Sequence, residues 1–520
     1  MLDLYFSLPN PMISPTVVLS VIGGVWLVAR FLRPSKSPLP PGPARKPLLG
    51  NLLEFPKAKE WIKYGEWTEK YGDIISLNVL GQTVVVLDST KDVKELFINR
   101  ASKYSSRIRM TMIHLVGWEV GTATCPPGDT FRATRRFMTQ ILGPHAVKGY
   151  VEVEDEEISA FIRRLVRTPG GEMNLQLQRM AAAIILRLTY GYEVKADDDE
   201  FVALAKNALR IFHTAAQPGW IVDVFPSLRF LPSWFPFATF KRKAVEWRKV
   251  VEASRQRTLD WTRTQIEAGT AAPSFAAQLL ADSERMKDEG LFSMVLADLF
   301  AAGGDTTMAS GLKLFLALAT HPDAQAKAQQ EIDNFTRGER LPTYEDRPYL
   351  PYIDALLKEV QRWDTPVAPL GLPHCTSEED VYKGYCIPKG AIMFANIWSI
   401  FHNPEKYPDP ETFKPERFLE KQERKTASGD IINEDPNHFV FGFGARHCPG
   451  RHLADSTQWL LAAKLIATCN VSNAVDMQGR HLGSRTVEFS PGVVSQPARF
   501  TCIVEPRSPQ AEGLLFEGAN

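Results

Sequence analysis

Apolar residues recur at helical spacing along most of this chain, and the predicted helices are broken at Gly and Pro. Two β-branched runs, residues 74–80 and 83–87, are joined at Gly81-Gln82 and predict a β-hairpin. No internal repeat, Gly/Ser linker or long charge block divides the sequence, although its length would suit about two to four average domains. The pattern therefore predicts a mainly α-helical fold with small β-sheets.

The N-terminus departs from this pattern, because no residue from Leu4 to Ala29 is charged and the later part of this stretch is densely apolar. A membrane-spanning helix needs about 20 such residues. One acidic residue, Asp3, precedes the stretch, whereas several basic residues follow it: Arg30, Arg33, Lys36, Arg45 and Lys46. The positive-inside rule then places the body of the protein in the cytosol. We predict a lumenal segment at residues 1–11 and a transmembrane signal anchor at residues 12–30.

A cleavable signal peptide is the alternative interpretation of this N-terminal segment. Against it, the apolar stretch is longer than the usual ~7–15 residues, its N-terminal flank lacks Lys and Arg, and no clear cleavage site follows. We therefore favour an uncleaved anchor.

Four other segments stand out from the helical pattern. Residues 31–50 contain a Leu-Pro-Pro-Gly-Pro run that predicts a stiff, extended hinge. Residues 225–237 are rich in proline and aromatic side chains and precede a basic triplet, which suits either the membrane–water interface or a loop packed on the core. Residues 421–436 are polar and predict a surface loop. Residues 508–520 have no packing pattern, and we predict that this tail is disordered.

Charge and cysteine content exclude several classes of protein. The formal net charge is +0 and the pI is about 7.1, so bulk electrostatics do not suggest a nucleic-acid partner. The six cysteines, at positions 125, 375, 386, 448, 469 and 502, include no CxxC pair, which argues against a zinc site or a redox dithiol. Free thiols suit a reducing compartment.

One cysteine lies in the glycine-rich run Phe441-Gly442-Phe443-Gly444-Ala445-Arg446-His447-Cys448-Pro449-Gly450. The glycines allow the backbone to pass close to a flat ligand and to point amide groups at the sulfur. A thiolate is an electron-donating axial ligand of haem iron that favours O–O cleavage, and the Arg446 fork matches a haem propionate. The alternative is a buried structural cysteine in a turn.

This run resembles the cysteine loop of the cytochrome P-450 superfamily of haem-thiolate monooxygenases, and the likeness extends from about residue 40 to about residue 500. The resemblance implies a member of the microsomal class, with a single large helical domain at residues 51–507 behind the N-terminal transmembrane helix. It also implies haem b, iron protoporphyrin IX, with Cys448 as the axial ligand of the iron. Within the superfamily, the chain is most similar to fungal members of secondary metabolism.

The segment Ala302-Gly303-Gly304-Asp305-Thr306-Thr307 lies inside a long apolar helical pattern. Gly-Gly in the middle of a helix costs roughly 1 kcal/mol per residue, so we expect it to make room for a ligand near the backbone and to distort the helix locally. Asp305 and Thr306 would then form an acid–alcohol pair that delivers protons. The segment matches the family pattern on its central helix. Taken alone, it also fits a kinked core helix.

Glu359 and Arg362 lie at positions i and i+3 of a predicted helix, and Pro415-Glu416-Arg417-Phe418 follows downstream. Such a pair is common on helix surfaces. The resemblance, however, implies that Glu359, Arg362 and Arg417 form a buried charge network that holds the Cys448 loop for haem capture. This role would be structural.

Further haem contacts follow from the resemblance. Arg135 matches the family residue that holds a propionate, and Phe441 begins the cysteine loop. Phe131 departs from the family, which has Trp there, because a phenyl ring has no N–H to donate. His374 matches a strand position that offers His or Arg to a propionate, although a lone histidine is more often a satisfied core or surface residue.

Contacts to the substrate are also implied by the resemblance rather than by any motif. The stretches concerned are apolar to mildly polar and carry no clustered charge, as expected for a lipophilic molecule above a haem face. The residues that we expect to line the pocket are Phe300, Ala301, Ala302, Val367, Ala368, Leu370 and Val493.

The resemblance implies that one oxygen atom of O₂ is inserted into this molecule. The chain has no Gly-x-Gly-x-x-Gly element after a strand and no flavin or iron–sulfur signature, so the electrons must come from another protein. For a member anchored in the endoplasmic reticulum, the resemblance implies NADPH–haemoprotein reductase, with cytochrome b5 as a second donor. Arg135, Arg136 and nearby basic residues could dock an acidic surface.

Two alternative functions remain open from the sequence. One is a haem-thiolate isomerase or dehydratase that does not use O₂, although such relatives often lack the acid–alcohol pair. The other is a non-catalytic haem-binding sensor or carrier. Consumption of NADPH with substrate distinguishes the sensor from the monooxygenase.

Overall fold

The computed structural model describes residues 37–118, 121–168, 172–195, 199–217, 219–236, 238–282, 284–420, 422–483, 487–490 and 492–517. The predicted lumenal segment at 1–11 and the predicted anchor at 12–30 lie outside these residues. Of the helices within the described ranges, none combines the length and the apolar character that crossing a membrane requires.

Helices account for most of the fold, as the apolar pattern predicts. In chain order they are α1 (Glu60–Tyr71), α2 (Thr90–Lys94), α3 (Ala101–Tyr104), α4 (Thr111–Leu115), α5 (Asp129–Leu142), α6 (Pro144–Val147), α7 (Val151–Arg167), α8 (Met173–Tyr190), α9 (Glu200–Ala216), α10 (Ile221–Val224), α11 (Thr239–Glu267), α12 (Phe275–Ala281), α13 (Glu289–Thr320), α14 (Pro322–Thr336), α15 (Pro351–Arg362), α16 (Ile397–His402), α17 (Asn437–Val440), α18 (Arg451–Thr468) and α19 (Pro509–Phe516). A π-helical segment lies at Glu95–Asn99, and short 3-10 segments lie at Lys148–Tyr150, Pro226–Phe230, Arg285–Asp288, Tyr344–Tyr349, Pro415–Phe418 and Gly444–Arg446.

The strands form three small sheets. They are β1 (Ile74–Val79), β2 (Gln82–Leu87), β3 (His374–Cys375), β4 (Asp380–Tyr382), β5 (Tyr385–Ile387), β6 (Ile392–Ala395), β7 (Cys469–Asp476) and β8 (Phe500–Pro506). The largest sheet has the order β1-β2-β6-β3, in which β1 and β2 are antiparallel and β2 and β6 are parallel. The β1–β2 pair confirms the predicted hairpin. The pairs β4–β5 and β7–β8 are separate antiparallel sheets.

The main hydrophobic core surrounds α13, with α8 and α18 packed against it. Residues of α13 from Met308 to Leu318 are buried almost without interruption, which is typical of a helix covered on every side. Asp288 caps the start of this helix by accepting from the N–H of Leu291. Its C-terminal end is followed by Pro322, which begins α14 at the favoured first position.

The described part of the predicted hinge is bonded to two of the sheets, the largest one and the β4–β5 pair. The N–H of Ser76 donates to the carbonyl of Pro41 at 2.8 Å, and the N–H of Cys386 donates to the carbonyl of Pro38 at 2.8 Å. At Gly42, a β-carbon would lie 2.2 Å from the carbonyl oxygen of Ser76, so a larger residue does not fit there. The proline-rich segment is therefore fixed to the domain by backbone hydrogen bonds.

The proline-rich loop at 225–237 has both exposed and core-packed apolar side chains; Phe237 lies outside the described residues. Phe230 and Trp234 are 74% and 77% exposed, and Phe225 is also exposed. Leu231 and Phe235 instead pack on a core cluster. The loop is thus held to the domain by some of its apolar side chains while others face outward.

Two sequence predictions require correction. Residues 509–516 of the predicted disordered tail form helix α19, because Ser508 caps its N-terminus and Ala511 and Leu515 are buried. The predicted surface loop at 421–436 is mostly exposed over residues 422–430, but residues 431–436 are half-buried or buried, and Glu434 among them pairs with Lys94 and Lys406. Ionic partners from distant parts of the chain compensate for the burial of this carboxylate, and a local pattern cannot reveal them.

Candidate active site

The Cys448 loop is a tight turn that ends at the start of α18. The N–H of Cys448 donates to the carbonyl of Phe441 at 2.7 Å, and this bond closes the loop. Gly442 and Gly444 have φ values of +76° and +52°, in the left-handed region that favours glycine. The backbone N–H of Gly450 bonds to the Cys448 sulfur. The predicted glycine-rich cradle around this thiol is therefore confirmed.

Burial and charge act in opposite directions on the Cys448 thiol. Burial raises its pKa, whereas the Gly450 N–H and the guanidinium groups of Arg135 and Arg451 lower it. Burial has the larger effect, so the isolated thiol holds its proton more tightly than usual. A bound metal ion deprotonates a coordinating thiol outright. The surrounding donors would then stabilise the thiolate.

Arg446 is buried and connects the cysteine loop to the segment between α3 and α5. It donates from Nε to the carbonyl of Ser105 at 2.8 Å and from its two Nη atoms to the carbonyls of Thr122 and Cys125, at 3.4 and 2.7 Å. Its guanidinium lies 4.0 Å from the centre of the Phe131 ring. A guanidinium has five N–H donors, so the fork keeps capacity for a carboxylate. Phe131, which cannot donate as Trp would, contacts this arginine through its ring face.

Arg107 lies beside Arg446, and sequence reasoning missed it. It donates to the carbonyls of Leu372 and Pro373 at 2.8 and 2.7 Å, but its Nε is buried without a partner. Burial and the charge of Arg446 lower the pKa of Arg107 to about 9. The bridge between Ser106 and β3 brings Arg107 to this position. A long-range strand pairing sets this contact, so local sequence does not signal it.

His374 is the third basic group of this cluster. Its Nδ1 donates to the carbonyl of Tyr104 at 2.8 Å, and its ring stacks on Phe97 with centroids 4.2 Å apart. Burial and the charges of Arg107 and Arg446 lower its pKa to about 3. With Nδ1 carrying the proton, Nε2 of the neutral ring is an acceptor. His374 can donate to a propionate only after it gains a second proton, which a nearby anion would favour.

Arg135 lies at the other side of the loop. Its Nη2 donates to the carbonyl of His447 at 2.7 Å, and its charge acts on the adjacent Cys448 sulfur. Arg136, the next residue on α5, is exposed.

The residues present fit a haem. The half-buried Cys448 thiol can supply a ligand for iron, and Arg107, Arg446 and His374 form a basic cluster beside its loop. None of the ion pairs among the described residues includes a member of this cluster. Two guanidinium groups without a carboxylate, one of them with an orphaned buried N–H, need an anion from outside the chain. The two propionates of haem would supply it.

The α13 segment of the site borders open space. Ala302 is exposed and residues 303–307 are partly exposed, although the same helix is buried from Met308 onward. The hydroxyl of Thr306 donates to the carbonyl of Ala302 at 2.7 Å. Burial raises the pKa of the Asp305 carboxyl. The acid and the alcohol therefore stand on the part of α13 that remains accessible.

The two glycines of this segment have different roles. A β-carbon on Gly303 would lie 2.7 Å from the side chain of Ile185 on α8, so this glycine allows two helices to approach. A β-carbon on Gly304 would meet nothing within 4 Å. The helix continues without interruption from Glu289 to Thr320, so the predicted local distortion is wrong. The cost of Gly303 is offset by helix packing rather than by ligand approach.

The structure brings the three residues of the predicted charge network together. Arg362 donates to both carboxylate oxygens of Glu359, at 2.8 and 2.9 Å, and the Nε of Arg417 lies 3.2 Å from the same carboxylate. The three side chains are almost completely buried. Glu359 also accepts from the N–H of Lys414, and Arg362 donates to the carbonyl of Phe401. The network ties α15 to the segment that precedes the cysteine loop.

The predicted substrate contacts on α13 have different surroundings. Phe300 lies in the main core and Ala301 packs on the cluster that contains Trp118 and Phe212. Ala302 is the exposed member of the three. Of this set, Ala302 is thus the residue that borders open space most clearly.

The remaining predicted contacts lie on two segments that the structure joins. The N–H of Ser495 donates to the carbonyl of Val367 at 2.8 Å, which places Val493 near the segment 366–372. Val367, Ala368 and Leu370 are half-buried, and Val493 is exposed. Their apolar character suits a lipophilic molecule.

Comparisons with known proteins agree with this geometry. The family model for cytochrome P-450 matches residues 40–490. Cytochrome P-450 monooxygenase 208 of Postia placenta is 38% identical over 94% of this chain and 94% of its own length. Cytochrome P-450 monooxygenase claR of Ampulloclitocybe clavipes is 37% identical over 98% and 93%, and O-methylsterigmatocystin oxidoreductase of Aspergillus flavus is 34% identical over 95% and 92%. The chain belongs to the cytochrome P-450 family.

Proposed function

We propose that this protein is a haem-thiolate monooxygenase, which inserts one oxygen atom of O₂ into a lipophilic small molecule and reduces the other to water. The observation that carries the proposal is the half-buried Cys448 thiol, in its glycine-rich loop, beside a basic cluster without carboxylate partners. Bound haem b would supply the redox and oxygen-activating chemistry, with Cys448 as its thiolate ligand.

The residues of the cysteine loop position the Cys448 sulfur and affect its pKa. The Gly450 N–H and the charges of Arg135 and Arg451 favour the thiolate, because each interacts better with a negative sulfur than with a thiol. Arg107 and Arg446 would anchor the two propionates, and His374 would join them once protonated. The Glu359 network keeps the neighbouring segment in place.

Asp305 and Thr306 would hold and transfer protons beside the bound haem. Burial keeps the Asp305 carboxyl protonated to a higher pH than usual, so it can hold a proton near the site. The Thr306 hydroxyl, which donates to the Ala302 carbonyl, can accept a hydrogen bond from water or substrate at the same time. The presence of both groups favours O₂ chemistry over the isomerase alternative.

The substrate is proposed to be lipophilic and uncharged. The named relative O-methylsterigmatocystin oxidoreductase acts on a compound of that name, and the half-buried Val367, Ala368 and Leu370 offer apolar surface. Polycyclic aromatics, terpenoids and phenolics are therefore the compounds to screen by mass spectrometry.

The proposed electron donors are NADPH–haemoprotein reductase and cytochrome b5. We propose a single-pass anchor at residues 12–30 in the endoplasmic reticulum membrane, with the catalytic domain in the cytosol. The exposed Phe230 and Trp234 support a second membrane contact, since aromatic side chains favour the membrane interface.

The experiment compares wild type with Thr306→Ala, reconstituted with the reductase and a converted substrate. Product per NADPH should fall in Thr306→Ala while haem and substrate binding persist. Thr320→Ala is the matched control, because Thr320 makes the same 2.7 Å bond to the carbonyl four residues earlier on α13. Asp305→Asn should slow turnover roughly 10- to 1000-fold. Unchanged coupling in Thr306→Ala, or substrate rearrangement without NADPH, would contradict the proposal.

A further inference from the structure

A histidine on a neighbouring helix faces the acid of the α13 pair. The Nδ1 of His213, on α9, lies 3.8 Å from Oδ2 of Asp305. The carboxylate side chain is 21% exposed and the histidine side chain 44% exposed. His213 therefore connects a less accessible carboxylate to a more accessible position.

The charges around Asp305 come from this same helix. Burial raises the pKa of the Asp305 carboxyl, and His213 and then Lys206 act to lower it. Lys206 lies seven residues before His213, about two helical turns away on the same face of α9. On its own helix, Asp305 is followed by Thr306, whose hydroxyl bonds to the Ala302 carbonyl.

The separation suits a proton relay. A distance of 3.8 Å is too long for a direct hydrogen bond. A small side-chain rotation would bring the His213 ring and the Asp305 carboxylate into direct contact, and one bridging water would connect them without it. An imidazole has two ring nitrogens, so it can accept a proton at one while it donates from the other, whereas a lysine ammonium has donors and no acceptor. Of the two basic side chains on α9 that act on Asp305, His213 is therefore the one that can pass a proton along.

We propose that His213 is a positioning residue that supplies protons to Asp305 from the α9 side. The imidazolium gives the proton on Nδ1 to the Asp305 carboxylate, the carboxylic acid passes a proton into the cavity beside Thr306, and water reprotonates the neutral ring. One proton moves inward per cycle, and no electrons move in this step. The inference rests on the proposed monooxygenase function.

The test uses the full-length haem-loaded protein and two readouts. The first is the pH profile and solvent isotope effect of product formed per NADPH. In His213→Gln, product formation at pH 6.5 should fall by about threefold or more, and its dependence on pH between about 6 and 8 should flatten. Arg210→Gln is the matched control on α9, because Arg210 bonds to Asn207 of the same helix.

The second readout does not depend on turnover. Infrared difference titration detects the protonated Asp305 carboxyl as the band that is absent in Asp305→Asn. In His213→Gln the midpoint of this band should move upward by about half a pH unit or more, because a positive neighbour is removed. Arg210→Gln should leave it in place.

The outcomes separate this inference from the function on which it rests. If Asp305→Asn slows turnover while His213→Gln changes neither the pH profile nor the infrared midpoint, the relay is overturned and the monooxygenase assignment stands. If Asp305→Asn turns over normally, both the relay and the proton-delivery role of Asp305 are overturned. A loss of haem in His213→Gln with an unmoved infrared midpoint assigns the residue a structural role and overturns the relay.

Discussion

A β-carbon on Gly444 would lie 2.3 Å from the carbonyl oxygen of Phe97. Phe97 belongs to the π-helical segment at 95–99, and its ring stacks on His374 and packs against Phe443. Phe97 therefore contacts both the cysteine loop, through Gly444 and Phe443, and the basic cluster, through His374. The absence of a side chain at Gly444 lets the two backbones approach.

Gly444→Ala is expected to misplace the cysteine loop. The new methyl group clashes with the Phe97 carbonyl, and the φ of +52° is unfavourable for alanine. The protein should express with at most a small fraction of the wild-type haem absorbance per polypeptide. Gly384→Ala provides the control, since Gly384 has a φ of +81° but open space around its Cα. Equal haem content in both variants would contradict this role of Gly444.

Glu359→Gln is expected to destabilise the domain strongly. Removal of the carboxylate leaves Arg362 and Arg417 as buried cations, a change that costs about 3–5 kcal/mol. Urea unfolding followed by haem absorbance should show a clearly lower midpoint. Glu66→Gln removes one partner of the exposed Lys63–Glu66 pair and should change the midpoint little. A comparable loss in the two variants would refute the structural role of the network.

Arg107→Gln tests the residue that the sequence did not reveal. If Arg107 binds a propionate, its loss should accelerate haem transfer to apomyoglobin by about tenfold or more, because one charge-assisted hydrogen bond is worth about 1.5–3 kcal/mol. The CO complex should keep its absorbance maximum, since the iron ligand is unchanged. Arg132→Gln is the control, because Arg132 is exposed and pairs with Asp129. Unaltered haem retention in Arg107→Gln would exclude the propionate contact.

Glu154→Gln should change the pH dependence of stability. Glu154 on α7 accepts hydrogen bonds from Ser456 and Thr457, and burial raises its pKa from 4.5 to about 8. Because the folded protein holds this proton more tightly than the unfolded chain, the stability contribution is complete below about pH 4.5 and is lost as the pH rises through about 8.

Glutamine mimics the protonated acid at every pH, so the variant should match wild type near pH 5 and exceed it at pH 8, by about 2–5 °C in Tm. Thermal unfolding at both pH values measures the difference. Glu152→Gln, on the same helix and exposed, should shift both values equally or not at all. A constant difference between Glu154→Gln and wild type across this range would show that Glu154 is not protonated in the folded protein.

The sequence predicted the parts of the site that depend on local geometry. The Cys448 loop needs glycine at fixed positions, and the β1–β2 hairpin needs two β-branched runs around a short turn. Both features are visible within ten or fifteen residues. The network of Glu359, Arg362 and Arg417 was predicted by resemblance, since an i, i+3 pair alone is common on helix surfaces.

The parts that the sequence did not predict depend on contacts between distant segments. Arg107 reaches the basic cluster through the bridge of Ser106 with β3, and the role of Gly303 depends on Ile185 of another helix. Helix α19 is stabilised by the burial of Ala511 and Leu515 against the domain. Its short sequence does not predict this burial. In each case tertiary packing outweighs the local pattern.

The carbon monoxide spectrum of the reduced protein tests most directly whether Cys448 binds haem as a thiolate. We expect a Soret band near ~450 nm for wild type, as a thiolate trans to CO produces. Cys448→Ala should lose this band, while Cys375→Ala should keep it, since Cys375 lies outside the loop on β3. A band near ~420 nm in fresh, folded wild-type protein, or a ~450 nm band that survives in Cys448→Ala, would contradict thiolate ligation by Cys448.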